Sequence, residues 1–231
     1  MAQAAARRVV QSLRERPDLV LGLPAGRTPV AIYAELTRLS AAGEADFSSA
    51  TAFALDEFVG IDHNHPASFH RFIREHLIDH VGLSRDHFHG LNGSADDLQA
   101  ECDRYEAAIR RAGGIGLQLL GIGSNGHIGF NEPASALPAP THRVVLLEGT
   151  RKASAALFEG DIARVPREAL TIGVGTILKA EAVILLAAGE SKAASVERMV
   201  RGLITPQLPA SFLQAHRSVE IYLDRAAASR L

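Results

Sequence analysis

A chain of 231 residues with 47% hydrophobic and 22% charged side chains has room for one large domain with a substantial core. Its formal net charge of −2 excludes a predominantly basic nucleic-acid-binding surface, and no apolar run approaches the roughly 18 residues of a membrane span. One cysteine, Cys102, cannot form an internal disulfide, and the N-terminus lacks the continuous apolar core of a secretory signal; a cytoplasmic location is the expectation.

Residues 2–16 have helical spacing, with Val9, Val10 and Leu13 on one face. Residues 18–23 read as a buried strand that enters a glycine loop. A helix follows over 29–42, with Thr28 as its N-cap, Pro29 at its first position, and Ile32, Leu36 and Leu39 inward. A second strand covers 51–55, and a helix over 68–79 turns Phe69, Phe72, Ile73 and Leu77 inward. Residues 87–91 suggest a short strand. Asn92-Gly93-Ser94 matches a glycosylation sequon but reads as a turn. Ser94 then caps a helix reaching about 112, with Asp97 completing a weak capping box. Cys102 lies on the apolar seam of that helix with Leu98, Tyr105 and Ile109, as a small buried hydrophobe would. A strand at 115–120 precedes a glycine-rich stretch. Further strands are expected at 143–147, 170–174, 182–187 and 219–223, and a helix over 191–201 groups Val196, Met199 and Val200.

Strands alternating with helices imply βαβ units. The expected fold is a single three-layer α/β/α domain spanning 1–231, with a mainly parallel, doubly wound, Rossmann-like sheet. Ligands bind such sheets beyond the carboxyl ends of the strands, so chemistry is sought there.

Four strand ends carry it. Leu120 to Pro133 holds Gly121, Gly123, Gly126 and Gly129, with His127 and Glu132 five positions apart. A His exchanges protons near neutral pH, and a carboxylate beside it tunes or orients it. Gly121, Gly123 and Gly126 spell G-x-G-x-x-G, but a dinucleotide site needs a helix immediately afterwards, and Gly129, Pro133, Pro138 and Pro140 prevent one. The loop at Gly26, Arg27 and Thr28 opens a helix whose free N–H groups and dipole suit a phosphate; without G-K-[ST] it is no nucleotide P-loop. Asp56 and Glu57 end the second strand, where alternation lets at most one of them face the site, and Asp56 is the candidate. His63 and His65 lack a third ligand for zinc, and no metal site is expected. Lys192 sits in the first turn of a late helix, where a bound anion would relieve its conflict with the dipole, and Arg151, after Thr150, raises the same question. Residues 134–165, rich in Pro, Ala and Gly beside the site, form a candidate cover over substrate.

Taken together, LGLPAGRTP (21–29), FALDEFVG (53–60), LLGIGSNGHIGFNEP (119–133), VPREALTIGVGTIL (165–178) and AAGESKA (187–193) resemble the glucosamine-6-phosphate deaminase/isomerase family, in order along nearly the whole chain. The resemblance implies conversion of glucosamine 6-phosphate and water to fructose 6-phosphate and ammonia, without metal or organic cofactor. It implies that Asp56 moves a proton from C2 to C1, that His127 opens the pyranose ring, that Glu132 pairs with that His, and that Gly26, Arg27, Thr28, Arg151 and Lys192 grip the phosphate. The family's related 6-phosphogluconolactonases share the fold; the Asn131-Glu132-Pro133 ending favours the deaminases.

The chain departs from the pattern at Asn125, where many members have an Asp; an Asn there can accept from the imidazole but brings no charge. The resemblance also implies, from the few basic residues over 137–143 and the chain's end at Leu231, hyperbolic kinetics and a monomer or small homo-oligomer, acting on a small molecule with neither nucleic acid nor membrane as partner. Galactosamine 6-phosphate or a lactone as substrate, and a non-catalytic sugar-phosphate sensor, are the competing expectations. A sensor coupled to DNA would need a helix-turn-helix, for which no segment is spare.

Overall fold

A computed structural model describes all of residues 1–231. In chain order the elements are α1 (Ala2–Glu15), β1 (Val20–Leu23), α2 (Arg27–Ala41), β2 (Thr51–Ala54), β3 (Asp56–Phe58), α3 (Phe69–His76), β4 (Phe88–His89), α4 (Leu98–Arg111), β5 (Leu117–Gly121), β6 (His142–Val145), α5 (Glu148–Ser154), β7 (Glu168–Thr171), α6 (Val174–Leu178), β8 (Ala182–Ala187), α7 (Ala193–Arg201) and β9 (Val219–Leu223). Six strands pair in the order β4-β2-β1-β5-β8-β9, every pair parallel. Helices α1, α2 and α3 bury Val9, Leu13, Ile32, Leu36 and Ile73 against one face, and α4, α6 and α7 bury Tyr105, Ile109, Ile177, Val196 and Met199 against the other. This is the expected three-layer domain. Its strand order reverses between β1 and β5, so a crevice opens beyond their carboxyl ends.

The expected strands at 143–147 and 170–174 do not join that sheet. They form β6 and β7, which with β3 make a separate antiparallel sheet in the order β3-β7-β6. The chain changes sheets at Leu55. Its N–H still donates to Leu23 of β1 at 2.9 Å, while its carbonyl accepts from Ile172 just past β7 at 2.9 Å. Asp56 is therefore the first residue of the second sheet, at the carboxyl edge of the first. Behind it, Phe58, Phe69, Phe130 and Phe158 form a small aromatic core.

Three end positions differ from expectation for local reasons. Gly26, with φ 109°, is the N-cap of α2 instead of Thr28, a conformation that favours glycine. Asp97 caps α4 itself, accepting from the N–H groups of Gln99 and Ala100, so Ser94 lies outside the helix. Val200 is exposed, while Val196 and Met199 are buried.

Glu57 is fully buried, and its role is structural. Its carboxylate accepts from the N–H groups of Phe58, Phe69 and His70 and from the Ser68 hydroxyl. It thus satisfies N–H groups at the start of α3, which have no partner within the helix, and locks that helix to β3. Removing the carboxylate strands these donors, each costing about 1–3 kcal/mol when buried. Glu57→Ala is expected to destabilise the fold by about 3 kcal/mol or more, read as a lower urea midpoint at unchanged slope.

Candidate active site

The carboxyl ends of β1, β2, β5 and β8 surround one cleft of about 650 Å³. Gly26, Arg27 and Thr28 line it from the β1 loop, Asp56 from the sheet junction, Asn125 and His127 from the β5 loop, and Lys192 from the β8 loop. Seven residues of the chemistry expected from sequence, in four segments of the chain, thus meet in one place. Tyr33 fixes the first loop by donating to the Pro24 carbonyl at 2.6 Å, and Tyr105 fixes the end of β2 by donating to the Ala54 carbonyl at 2.7 Å. Neither role is read from the sequence: Tyr105 is there only part of an apolar helical seam, and Tyr33 is not singled out.

Asp56 is 6% exposed. Burial, then the neighbouring Glu57 charge, pushes its carboxyl well above the ordinary range. Alternation on β3 sends the two acids apart: Glu57 into its ring of donors, Asp56 into the cleft. Neither is solvated in a loop.

The β5 loop makes no helix. It folds back instead, Gly123 donating to the His127 carbonyl at 2.9 Å and Gly126 donating to Gly123 at 3.0 Å, which disposes of the dinucleotide reading. The His127 ring lies on Gly123, where any Cβ would meet the ring at 2.4 Å. Farther along, Phe130 N–H donates to the Thr171 hydroxyl at 3.1 Å, and the Asn131 amide donates to the Ile172 carbonyl at 2.9 Å. These bonds pin the loop to β7 beside Asp56, whose register partner is Thr171.

Glu132 is 5% exposed, and its carboxylate stands 3.5 Å from His127 Nδ1. Burial alone would raise its pKa, but the contacts from His127 and Asn125 outweigh it and hold the carboxyl below the usual value. Asn125 behaves differently from expectation. Its Nδ2 donates to Glu132 Oε2 at 2.9 Å, and its Oδ1 accepts from the His127 backbone N–H at 3.1 Å. It holds the partner of the imidazole and leaves the ring itself alone. Leu147 N–H donates to Glu132 Oε1 at 3.2 Å, bringing the start of α5 to the same carboxylate.

The cationic end is formed by Arg27 and Lys192. Burial, then the Arg27 guanidinium, lowers the Lys192 pKa. Two like charges facing one cleft beside a helix N-terminus suit an anion. Arg151 is not among them. Its guanidinium turns away and donates to the carbonyls of Ile162 and Val165; Gly149, Thr150, Ala153 and Ser154 of the same helix line the cleft instead. The proline-containing half of the candidate cover is tied down, Ala134 donating to Pro206, Thr141 to Glu106, and Thr176 to Ala139. Only the α5 half of that segment borders the cleft. His63 ring-stacks on His70 and makes a hydrogen bond to the Leu91 carbonyl.

Comparisons with known proteins show the family of the chain. A family model described as glucosamine-6-phosphate isomerases/6-phosphogluconolactonase matches residues 1–222. A glucosamine-6-phosphate deaminase from Rhodopirellula baltica is 48% identical over 223 residues, covering 96% of this chain and 88% of that one. Another from Thermoanaerobacter sp. (strain X514) is 42% identical over 229 residues, covering 99% and 90%. The solved structure of a monomeric glucosamine-6-phosphate deaminase has a TM-score of 0.96 at 41% identity, covering 100% of this chain and 95% of that one. The chain belongs to the glucosamine-6-phosphate isomerase/6-phosphogluconolactonase family.

Proposed function

We propose that the protein is a glucosamine-6-phosphate deaminase, converting glucosamine 6-phosphate and water to fructose 6-phosphate and ammonia in amino-sugar breakdown. The observation that carries this reading is that Asp56, the one cleft carboxyl with a strongly raised pKa, shares its cleft with a His127–Glu132 pair and a cationic end. Full-length relatives bearing that name support it.

The chemistry follows from the groups. The phosphate sits against Gly26, Arg27, Thr28 and Lys192, and its remote binding energy positions the reacting carbons. His127 passes a proton between the ring oxygen and O1, opening the pyranose to the aldehyde. Asp56 takes the proton from C2, giving the enolamine, and returns one to C1. That leaves an iminium at C2, which water hydrolyses to the ketone with loss of ammonia. A carbon acid needs a stronger base than an ordinary carboxylate, and the raised pKa of Asp56 supplies one. General catalysis of this kind contributes about 10²–10⁴-fold. The enzyme is expected to work as a monomer or small homo-oligomer in the cytoplasm, where a dianionic sugar is retained.

A coupled assay is expected to detect ammonia from glucosamine 6-phosphate. Asp56→Asn should lose about 10²-fold or more in kcat with little change in KM. The acid limb of the kcat profile should lie above the ordinary carboxylate range, because the base must be ionised and its pKa is raised. Turnover of galactosamine 6-phosphate alone would reassign the epimer, and binding without turnover would make the protein a sensor.

Glu132→Gln removes the charge that stands 3.5 Å from the imidazole, whereas Asn125→Ala removes one amide that holds the Glu132 carboxylate. Glu132→Gln is expected to lower kcat more; equal losses would show that anchoring matters as much as charge.

Substrate curves are expected to be hyperbolic. The segment 137–143 offers no free cation: Arg143 is bonded to Glu168 at 2.9 Å, and burial lowers the His142 pKa. Sigmoidal curves straightened by N-acetylglucosamine 6-phosphate would contradict this.

A further inference from the structure

We propose that Thr150 is a positioning residue for the Glu132–His127 pair, its hydroxyl completing the set of donors that fixes the Glu132 carboxylate. This builds on the deaminase reading of the same cleft.

Thr150 is 6% exposed, lines the cleft, and its hydroxyl is buried without a hydrogen-bond partner. A buried hydroxyl left unpaired is unusual and needs a reason. The residue stands on the first turn of α5, three positions after Leu147, the N-cap whose N–H holds Glu132 Oε1. The hydroxyl is close enough to Glu132 to favour the anion, yet it makes no bond at hydrogen-bond geometry. His127 Nδ1 is in the same condition: buried, unpaired, and 3.5 Å from the same carboxylate. Two unsatisfied buried groups therefore converge on one acid.

A carboxylate offers about four lone-pair sites. The Asn125 amide and the Leu147 N–H fill two. His127 Nδ1–H and the Thr150 hydroxyl are the two remaining donors at hand, and together they complete the shell. A small adjustment at the start of α5 would let the hydroxyl donate to the carboxylate. Catalytic hydrogen bonds commonly tighten in this way when substrate binds. With Oε1 held by α5, Oε2 stays aimed at Nδ1. The imidazole then keeps its proton on Nδ1 and presents a free Nε2 lone pair to the sugar oxygens. Thr150 touches no reacting atom in this scheme; it acts through Glu132.

The test compares Thr150→Val, nearly the same shape without the hydroxyl, with Thr150→Ser, which restores it, in the full-length protein. Thr150→Val is expected to fold with a melting temperature close to that of the parent and to lose about tenfold in kcat, with KM within about twofold. Thr150→Ser should recover most of that loss. In ¹⁵N spectra of the ligand-free protein, His127 should be mainly the Nδ1–H tautomer in the parent and a mixture in Thr150→Val, with His127→Asn giving the assignment. Unchanged kcat and tautomer in Thr150→Val would overturn the proposal. So would a rise in KM alone, which would make Thr150 a substrate contact. Absence of ammonia release by the parent protein would overturn the deaminase reading only, because the tautomer comparison needs no turnover and still decides the role of Thr150.

Discussion

The site depends on the crossing of the chain from one sheet to the other at Leu55. A parallel strand that continued straight would carry Asp56 out into a loop, where water would keep its pKa ordinary. Instead β3 is captured by β7, with Asp56 opposite Thr171. The same Thr171 takes the N–H of Phe130 on its hydroxyl, so one residue of β7 locates both the Asp56 backbone and the loop that carries His127. Gly129 passes over this junction, where a Cβ would stand 2.9 Å from the Thr171 hydroxyl and 3.2 Å from Leu55. Acid and imidazole are thus held by strands, not by side-chain contact with each other.

Two adjacent acids acquire opposite roles at this crossing. Alternation on β3 sends Glu57 into a ring of donors and Asp56 into the cleft. Glu57 is raised by burial, but its hydrogen bonds pull the other way, and it serves to seat α3. Asp56 has burial and the Glu57 charge acting in the same direction, so its anion is costly in the folded state. The linkage is unfavourable: a carboxyl whose folded pKa exceeds its unfolded one burdens the fold at every pH above the unfolded value. Removing that charge would stabilise the protein at neutral pH, so Asp56 adds nothing to the stability of the fold, in keeping with the base proposed for it.

Much of this was legible in the sequence because periodicity and strand-end chemistry are local signals. The six parallel strands and their helices follow from apolar runs, and the cleft follows from the rule that ligands bind beyond the carboxyl ends of such strands. The second sheet was not legible. The apolar runs at β6 and β7 read as strands, but which sheet a strand joins depends on distant pairing, here on Leu55 and Thr171. Arg151 failed for a related reason. Its place near a helix start suggested an anion, but its guanidinium donates instead to the carbonyls of Ile162 and Val165 in the turns before β7. Thr28 lost the cap of α2 because Gly26 reaches a left-handed φ, and the helix starts earlier than a Thr-Pro pair suggests.

Asn125 shows how one side chain can look like a loss in sequence and become a fitted part in the structure. An amide offers a donor and an acceptor on the same short arm, and this loop uses both, one for Glu132 and one for the His127 N–H. With Asn125 and Glu132 in this arrangement, an acid at 125 would put a second carboxylate against Glu132 in a buried site, and like charges there force one group to stay protonated. The amide lets Glu132 remain the sole anion beside the imidazole, with its pKa held low. The departure from the family pattern therefore changes how the pair is held and leaves its charge in place: Asn125 bonds both Glu132 and the His127 backbone, and the Glu132 carboxylate alone stands beside the imidazole Nδ1.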